Sequence, residues 1–273
     1  MLNIKSIFTF DRLIKWCLKI EKRFRFVIST LILSLIMLFS TFFLFNKLWI
    51  FIPIFIVFVY IFTYFSILED INGSELVTLF IIPILFTISY YLFYFLFPVR
   101  WLTRVPFIII YGVSVYAILL TSNILNVGVE KSLQLFRAAF SVNYFYQTVI
   151  IFLFSNILFS FRGSYFTNAL LAGIGVFPLS LQLYWSIKLN LNIERQLILY
   201  SFLTSVMISQ IAVIASFIPF KPSISALILT SSYYSLTGLI NAYLDDRLFK
   251  QTIREYLFVL VFVILISILT ISW

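Results

Sequence analysis

The sequence predicts an all-α fold: a polytopic transmembrane helix bundle of about nine spans, with the N-terminus cytoplasmic. Three observations predict it. First, 63% of the 273 residues are hydrophobic and 11% are charged, with a mean hydropathy of +1.10. Soluble domains are about half apolar and about a quarter charged, and a soluble fold has no means of burying this much apolar surface. Second, apolar runs of bilayer-spanning length, roughly 20 residues each, follow one another along the whole chain. Third, charge segregates between the connections in a way that only this number of spans preserves.

Residues 1–25 form the first unit, and residues 26–273 a single multispanning domain. At about 100° per residue, Lys5, Arg12, Lys15, Lys19, Lys22 and Arg23 share one helical face, and Ile7, Phe10, Leu13, Ile14, Cys17, Ile20 and Phe24 another. That pattern predicts a basic amphipathic helix lying on the anionic inner leaflet. A signal peptide is disfavoured, because no small-residue cleavage site follows and the next apolar stretch is a full span. The spans fall at about 26–45, 48–68, 76–97, 105–121, 138–160, 169–187, 196–217, 223–244 and 256–272. Short connections such as "EDINGSE", "PVRWLTR" and "DDRLFKQTIRE" make consecutive spans antiparallel neighbours in one bundle. With the N-terminus inside, fourteen of the 19 Lys and Arg fall on the cytoplasmic side, as do all 10 acids. A miscounted span would scatter them.

Composition also excludes chemistry. The chain has no histidine, which removes His-dependent acid–base catalysis and His-ligated metals. Cys17 is its single cysteine, so no intrachain disulfide or cysteine metal site exists. No acid or base lies near the middle of a predicted span, which argues against proton-coupled transport. Serine-protease chemistry lacks a base. No catalytic residue, metal ligand or cofactor is assigned. The expected partners are anionic inner-leaflet lipids and, in one reading, a protein subunit, with no nucleic acid.

One stretch stands apart. If the chain is helical from Val127 onward, Glu130, Gln134, Arg137, Ser141, Tyr144, Thr148 and Ser155 lie close to one line. The functional reading is the wall of a water-accessible groove opening to the cytoplasm, with Arg137 at its mouth to receive an anionic group. The blander reading is preferred: a solvated face, a snorkelling Arg137, and hydroxyls bonded back to carbonyls one turn earlier. In the sixth span, "ALLAGIGVFPLSLQ" is read as close packing through Ala169 and Gly173 with a kink at Pro178 satisfied by neighbours, in preference to a broken span that exposes carbonyls to a substrate or ion. Ser231, Ser235, Gly238 and Ala242 read as a helix–helix seam. "EDINGSE" lacks the ligand spacing of a calcium loop. Asp245 and Asp246 are adjacent, so they fit poorly the paired-aspartate spacing that holds magnesium pyrophosphate.

The run "LLTSNILNVGVEKSLQLFRAAFSVNYF", with "NILFSFR" and "TNALLAGIGVFPLSLQLYWS", resembles an uncharacterised family of multispanning membrane proteins from candidate-phylum bacteria. The likeness covers roughly the fourth to sixth spans. It implies a bacterial inner membrane and carries no assigned activity. The expected function is therefore that of a non-enzymatic permease-like protein, or of a membrane subunit or scaffold. The alternative is a lipid-modifying enzyme using Arg137 and cytoplasmic acids on a phosphate-bearing substrate.

Overall fold

The structure, a computed structural model, describes residues 20–42, 48–68, 71, 73, 75–97, 101–127, 133–189 and 193–270. Among them are nine helices long and apolar enough to cross a membrane, and no strand. They are α1 (Lys22–Ser40), α2 (Leu48–Ile67), α3 (Glu75–Tyr94), α4 (Trp101–Val127), α5 (Leu133–Ser160), α6 (Tyr165–Lys188), α7 (Arg195–Phe217), α8 (Pro222–Leu244) and α9 (Lys250–Leu269). Each answers to one expected span. The basic stretch before residue 20 and the acids Glu69 and Asp70 lie outside the described residues.

The boundaries differ where backbone hydrogen bonding outruns the apolar stretch. The first span starts at Lys22 rather than 26, and the last occupies Lys250–Leu269 rather than 256–272. A helix continues through polar turns for as long as its backbone groups stay paired, so hydropathy alone misplaces its ends. Val127 is the last described residue of α4 and Leu133 the first of α5, so the stretch between them lies outside the described residues.

Local chemistry explains the other ends. Ser164 caps α6, its hydroxyl accepting from Thr167 N at 3.2 Å. Pro222 opens α8 at a position that needs no N–H. Pro83 lies inside α3 and withholds the N–H that Leu79 O would otherwise accept. Ser122 of α4 supplies a donor to that carbonyl at 3.4 Å. Pro178 likewise lies inside a continuous α6, as the packing reading expects, and the span is not broken there.

Every consecutive pair of helices is in contact. Helices α1–α4 pack among themselves, with α1 also against α4. Helices α5–α9 form a second group, in which α6 lies along α7 and α5 along α8. Gly173 lets α6 and α7 approach: a Cβ there would lie 2.5 Å from Ser209 Oγ, and Ser205 Oγ donates to Gly173 O at 2.8 Å. Gly238 does the same for α8 beneath the Tyr256 ring of α9, beside the bond from Ser235 Oγ to Tyr256 O at 3.0 Å. The two groups meet through α5, which touches both α3 and α4, and through α6, which touches α3. The outer faces are apolar, with Leu35, Val113, Ile174, Phe202 and Phe262 all exposed.

Candidate functional site

The polar line on α5 divides into three parts. Glu130 lies outside the described residues. Gln134, Arg137 and Ser141 are exposed near the start of the helix, and Ser141 Oγ donates to Arg137 O at 3.0 Å. Deeper, Thr148 Oγ1 donates to Tyr144 O at 2.9 Å. Both hydroxyls therefore satisfy themselves within α5, as the blander reading expected. Ser155 is fully buried, and its Oγ has no hydrogen-bond partner among the described residues. Tyr144 alone crosses to another helix. Its hydroxyl donates to Tyr234 O on α8 and lies 3.4 Å from Thr237 Oγ1. Its ring stacks on Tyr234, with centroids 5.1 Å apart.

The exposed part of the line faces a cavity of about 480 Å³ between α5, α6 and the end of α8. Phe136, Arg137, Phe140 and Ser141 line it from α5, Ile187 from α6, and Asn241, Asp245 and Arg247 from α8 and the turn after it. The turn is what brings "DDR" to the cavity. Asp246 takes a left-handed conformation at φ 53°. Asp246 N then donates to Tyr243 O at 3.2 Å and Arg247 N to Ala242 O at 2.8 Å. This paired closure ends the helix and folds the chain back over its last turn. Arg247 Nε meets Asp245 Oδ2 at 3.2 Å in a half-exposed pair. Asn241 Oδ1 is buried and has no donor among the described residues.

Beside Tyr144 lies a feature the sequence reading passed over. Asn143 and Gln147 of α5, Gln182 of α6 and Tyr233 of α8 are all buried, none more than 3% exposed. Gln182 Oε1 accepts from Asn143 Nδ2 at 3.1 Å and from Gln147 Nε2 at 2.5 Å. Tyr233 donates its hydroxyl proton to Gln147 Oε1 at 2.7 Å, and Gln182 Nε2 returns a bond to Asn143 Oδ1 at 3.4 Å. Asn241, Thr237 and Tyr233 lie on one face of α8 at successive four-residue steps. At 1.5 Å per residue Tyr233 is about 12 Å below Asn241, Gln182 about 8 Å below Ile187 and Asn143 about 3 Å below Ser141, so the cluster reaches from just under the cavity downward. Tyr144 and Tyr234 lie beside it on α5 and α8. Asn143 and Gln147 are one turn apart on the face beside the predicted line. Their signal was available, because an amide has more hydrogen-bonding sites than it can satisfy within its own helix.

Among the described residues no group of three or more His, Cys, Asp or Glu is placed to hold a metal ion. Asp245 and the described acid Glu75 stand on different groups of helices. No family model matches the chain, and neither the curated proteins nor the solved structures contain a match.

Proposed function

We propose that the chain is a multi-pass protein of a bacterial cytoplasmic membrane, with its N-terminus and the α5–α6–α8 cavity on the cytoplasmic side. We further propose that it is a non-enzymatic, permease-like protein whose solute path runs through α5, α6 and α8 and is closed at Tyr144. Nine apolar helices and apolar outer faces support the membrane setting. By helix order the described acids Glu21, Glu75, Glu194, Asp245, Asp246 and Glu255 fall at one end of the bundle, which supports the orientation. The resemblance stated above points to the same membrane.

The observation that carries the permease reading is the amide cluster beneath a polar cavity. Single Asn or Gln side chains hydrogen-bond across helices as ordinary packing in lipid. Three amides and a tyrosine gathered from three helices at one place, directly under a polar cavity, form a polar patch larger than one such contact. Its groups exchange partners with a solute when the helices part, and pair with one another when they close. A membrane-subunit reading draws on the opposite aspect of the same cluster, its complete internal pairing.

Thiol labelling separates the two. In a Cys17→Ser background, Ser141→Cys should react with a membrane-impermeant reagent applied to the cytoplasmic face, and Ser155→Cys should not. Thr148→Cys should become reactive when Tyr144→Ala removes the plug. Protection of position 148 with the plug removed would leave a sealed subunit. Labelling of Asp246→Cys from the outer face would overturn the orientation.

A further inference from the structure

We propose that the α5–α6–α8 cavity binds a phosphate ester bearing a neighbouring hydroxyl or ammonium group, with Arg137 and Arg247 on the phosphate and Asn241 on the donor. The inference deepens the permease reading by naming a ligand class. It rests on the cavity being open to water, and not on the path below Tyr144.

Charge comes first. The lining carries two guanidinium groups against one carboxylate, a net of one positive charge. Asp245 is already engaged by Arg247 Nε, and the bond occupies one of five N–H donors on that guanidinium. Among the described residues no carboxylate is paired with Arg137. The two guanidiniums come from different elements, α5 and the turn after α8, so they approach a ligand from two directions. A carboxylate has two oxygens in one plane, and a single arginine fork occupies both. A phosphate presents three outer oxygens in a tetrahedral arrangement and can accept from both forks. Arginine is the side chain suited to that geometry.

Asn241 supplies the second requirement. Asn241 lines the cavity, and its Oδ1 is buried behind that wall with no donor among the described residues; a small rotation of the side chain presents it to a ligand. An unmet buried acceptor is costly, and a ligand hydroxyl or ammonium placed there recovers the cost. The walls supply the third: Phe136, Phe140 and Ile187 are apolar and suit the carbon part of an ester better than a bare inorganic ion. About 480 Å³ is within the range of small-molecule sites. A soluble phosphomonoester offers three such oxygens and a phospholipid diester two; both carry an anion that two arginines can hold beside a hydroxyl or ammonium donor.

The test uses the full chain in phosphatidylcholine nanodiscs, whose head group has no donor. Binding of glycerol 3-phosphate and of methyl phosphate is measured by equilibrium dialysis. Glycerol 3-phosphate should bind roughly three- to tenfold more tightly, the effect of one hydrogen bond. Asn241→Leu should erase that difference and leave methyl phosphate unchanged; Asn241→Ala is the second variant if the leucine form does not fold. Arg137→Gln should weaken both ligands by about tenfold or more, as expected for a charge-assisted bond. Adding phosphatidylglycerol distinguishes the sources. Displacement of glycerol 3-phosphate identifies a lipid head group, and lack of displacement identifies a free solute. No binding of either ester to the wild type, or binding indifferent to Arg137→Gln and Asn241→Leu, overturns the proposal. Reactive Ser141→Cys without phosphate binding would remove this ligand and keep the open cavity. Phosphate binding with position 148 sealed would keep the ligand and remove the path.

Discussion

Helices α1–α4 and helices α5–α8 both bury polar atoms in an apolar bundle, but not the same kinds. The buried polar residues of α1–α4 are hydroxyl-bearing, apart from Arg25 and Glu75. The asparagines and glutamines buried as whole residues, Asn143, Gln147, Asn156, Asn168 and Gln182, belong to α5 and α6; in α4 only the Oδ1 atoms of the partly exposed Asn123 and Asn126 are buried. The first group is held by rings. Phe55 and Tyr91 lie 4.9 Å apart between centroids, Tyr90 and Phe107 4.0 Å, and Phe86 stacks on Tyr111 at an interplanar angle of 8°. Several of its hydroxyls are satisfied locally: Ser66 Oγ donates to Phe62 O at 2.8 Å and Thr87 Oγ1 to Pro83 O at 2.8 Å, each one turn back, while Ser29 and Ser122 reach carbonyls of neighbouring helices. A hydroxyl has a carbonyl of its own helix within reach. An amide has more sites than its own helix can answer, so it fixes the register of a neighbouring helix or waits for a ligand.

Removing the shared acceptor should give the largest effect. Gln182→Leu leaves Asn143 Nδ2 and Gln147 Nε2 without their acceptor. Each orphaned buried group costs about 1–3 kcal/mol in water-soluble proteins, and hydrogen bonds in membrane proteins average about 0.6 kcal/mol. The expected loss is about 2–3 kcal/mol, read from unfolding in mixed micelles. A loss below about 0.5 kcal/mol would mean that the cluster is hydrated and the contrast between the two groups is false.

The same atom deleted from each group sharpens the contrast. Tyr233→Phe strips the donor from Gln147 Oε1, whereas Tyr111→Phe removes a hydroxyl whose partner, Thr87, keeps its bond to Pro83 O. We expect about 1–2 kcal/mol for the first and about 0.5 kcal/mol or less for the second. Equal losses would erase the distinction between shared and local satisfaction.

Glycines give a third pairing. A Cβ on Gly238 would collide with the Tyr256 ring, and one on Gly112 would lie 2.9 Å from Ser34 Oγ. The serine can rotate away, but the ring is the surface on which α9 rests. Gly238→Ala should cost about 1–2 kcal/mol, at the lower end of overpacking effects, and Gly112→Ala less than about 1 kcal/mol. Thermal unfolding of both variants in one detergent checks the order.

The number of helices and their places were legible because hydropathy over a span-length window sums many side chains and tolerates local error. Arg137 was legible as a cation near the end of a span. Arg247 was not, because it reaches the cavity only through the reversal at Asp246, and no turn signal such as glycine marks that position; Asn241, inside α8, becomes a cavity wall only through the packing of α8 beside α5 and α6. Asn143, Gln147 and Gln182 were missed for a different reason. Aligning polar residues along one helix weights hydroxyls and amides equally, although only the amides must be answered from another helix.

The smallest expected effect tests the turn that carries Arg247. Asp246 stands at φ 53°, in the left-handed region that glycine holds freely and Asn or Asp only occasionally. Glycine holds this conformation without a Cβ penalty but is more flexible in the unfolded chain. The two effects oppose each other, and relief of the left-handed strain, about 1–2 kcal/mol, is the larger. Asp246→Gly should therefore stabilise the protein by about 0.5–1 kcal/mol while leaving the paired closure onto Tyr243 O and Ala242 O intact. Asp246→Val, which branches at Cβ, should destabilise it and loosen Arg247 from the cavity. Phosphate binding gives the second readout: the glycine variant should bind as the wild type does, and the valine variant more weakly. If glycine stabilises but also abolishes binding, the Asp246 carboxylate is itself needed at the site, and the assignment to Arg137, Arg247 and Asn241 is incomplete.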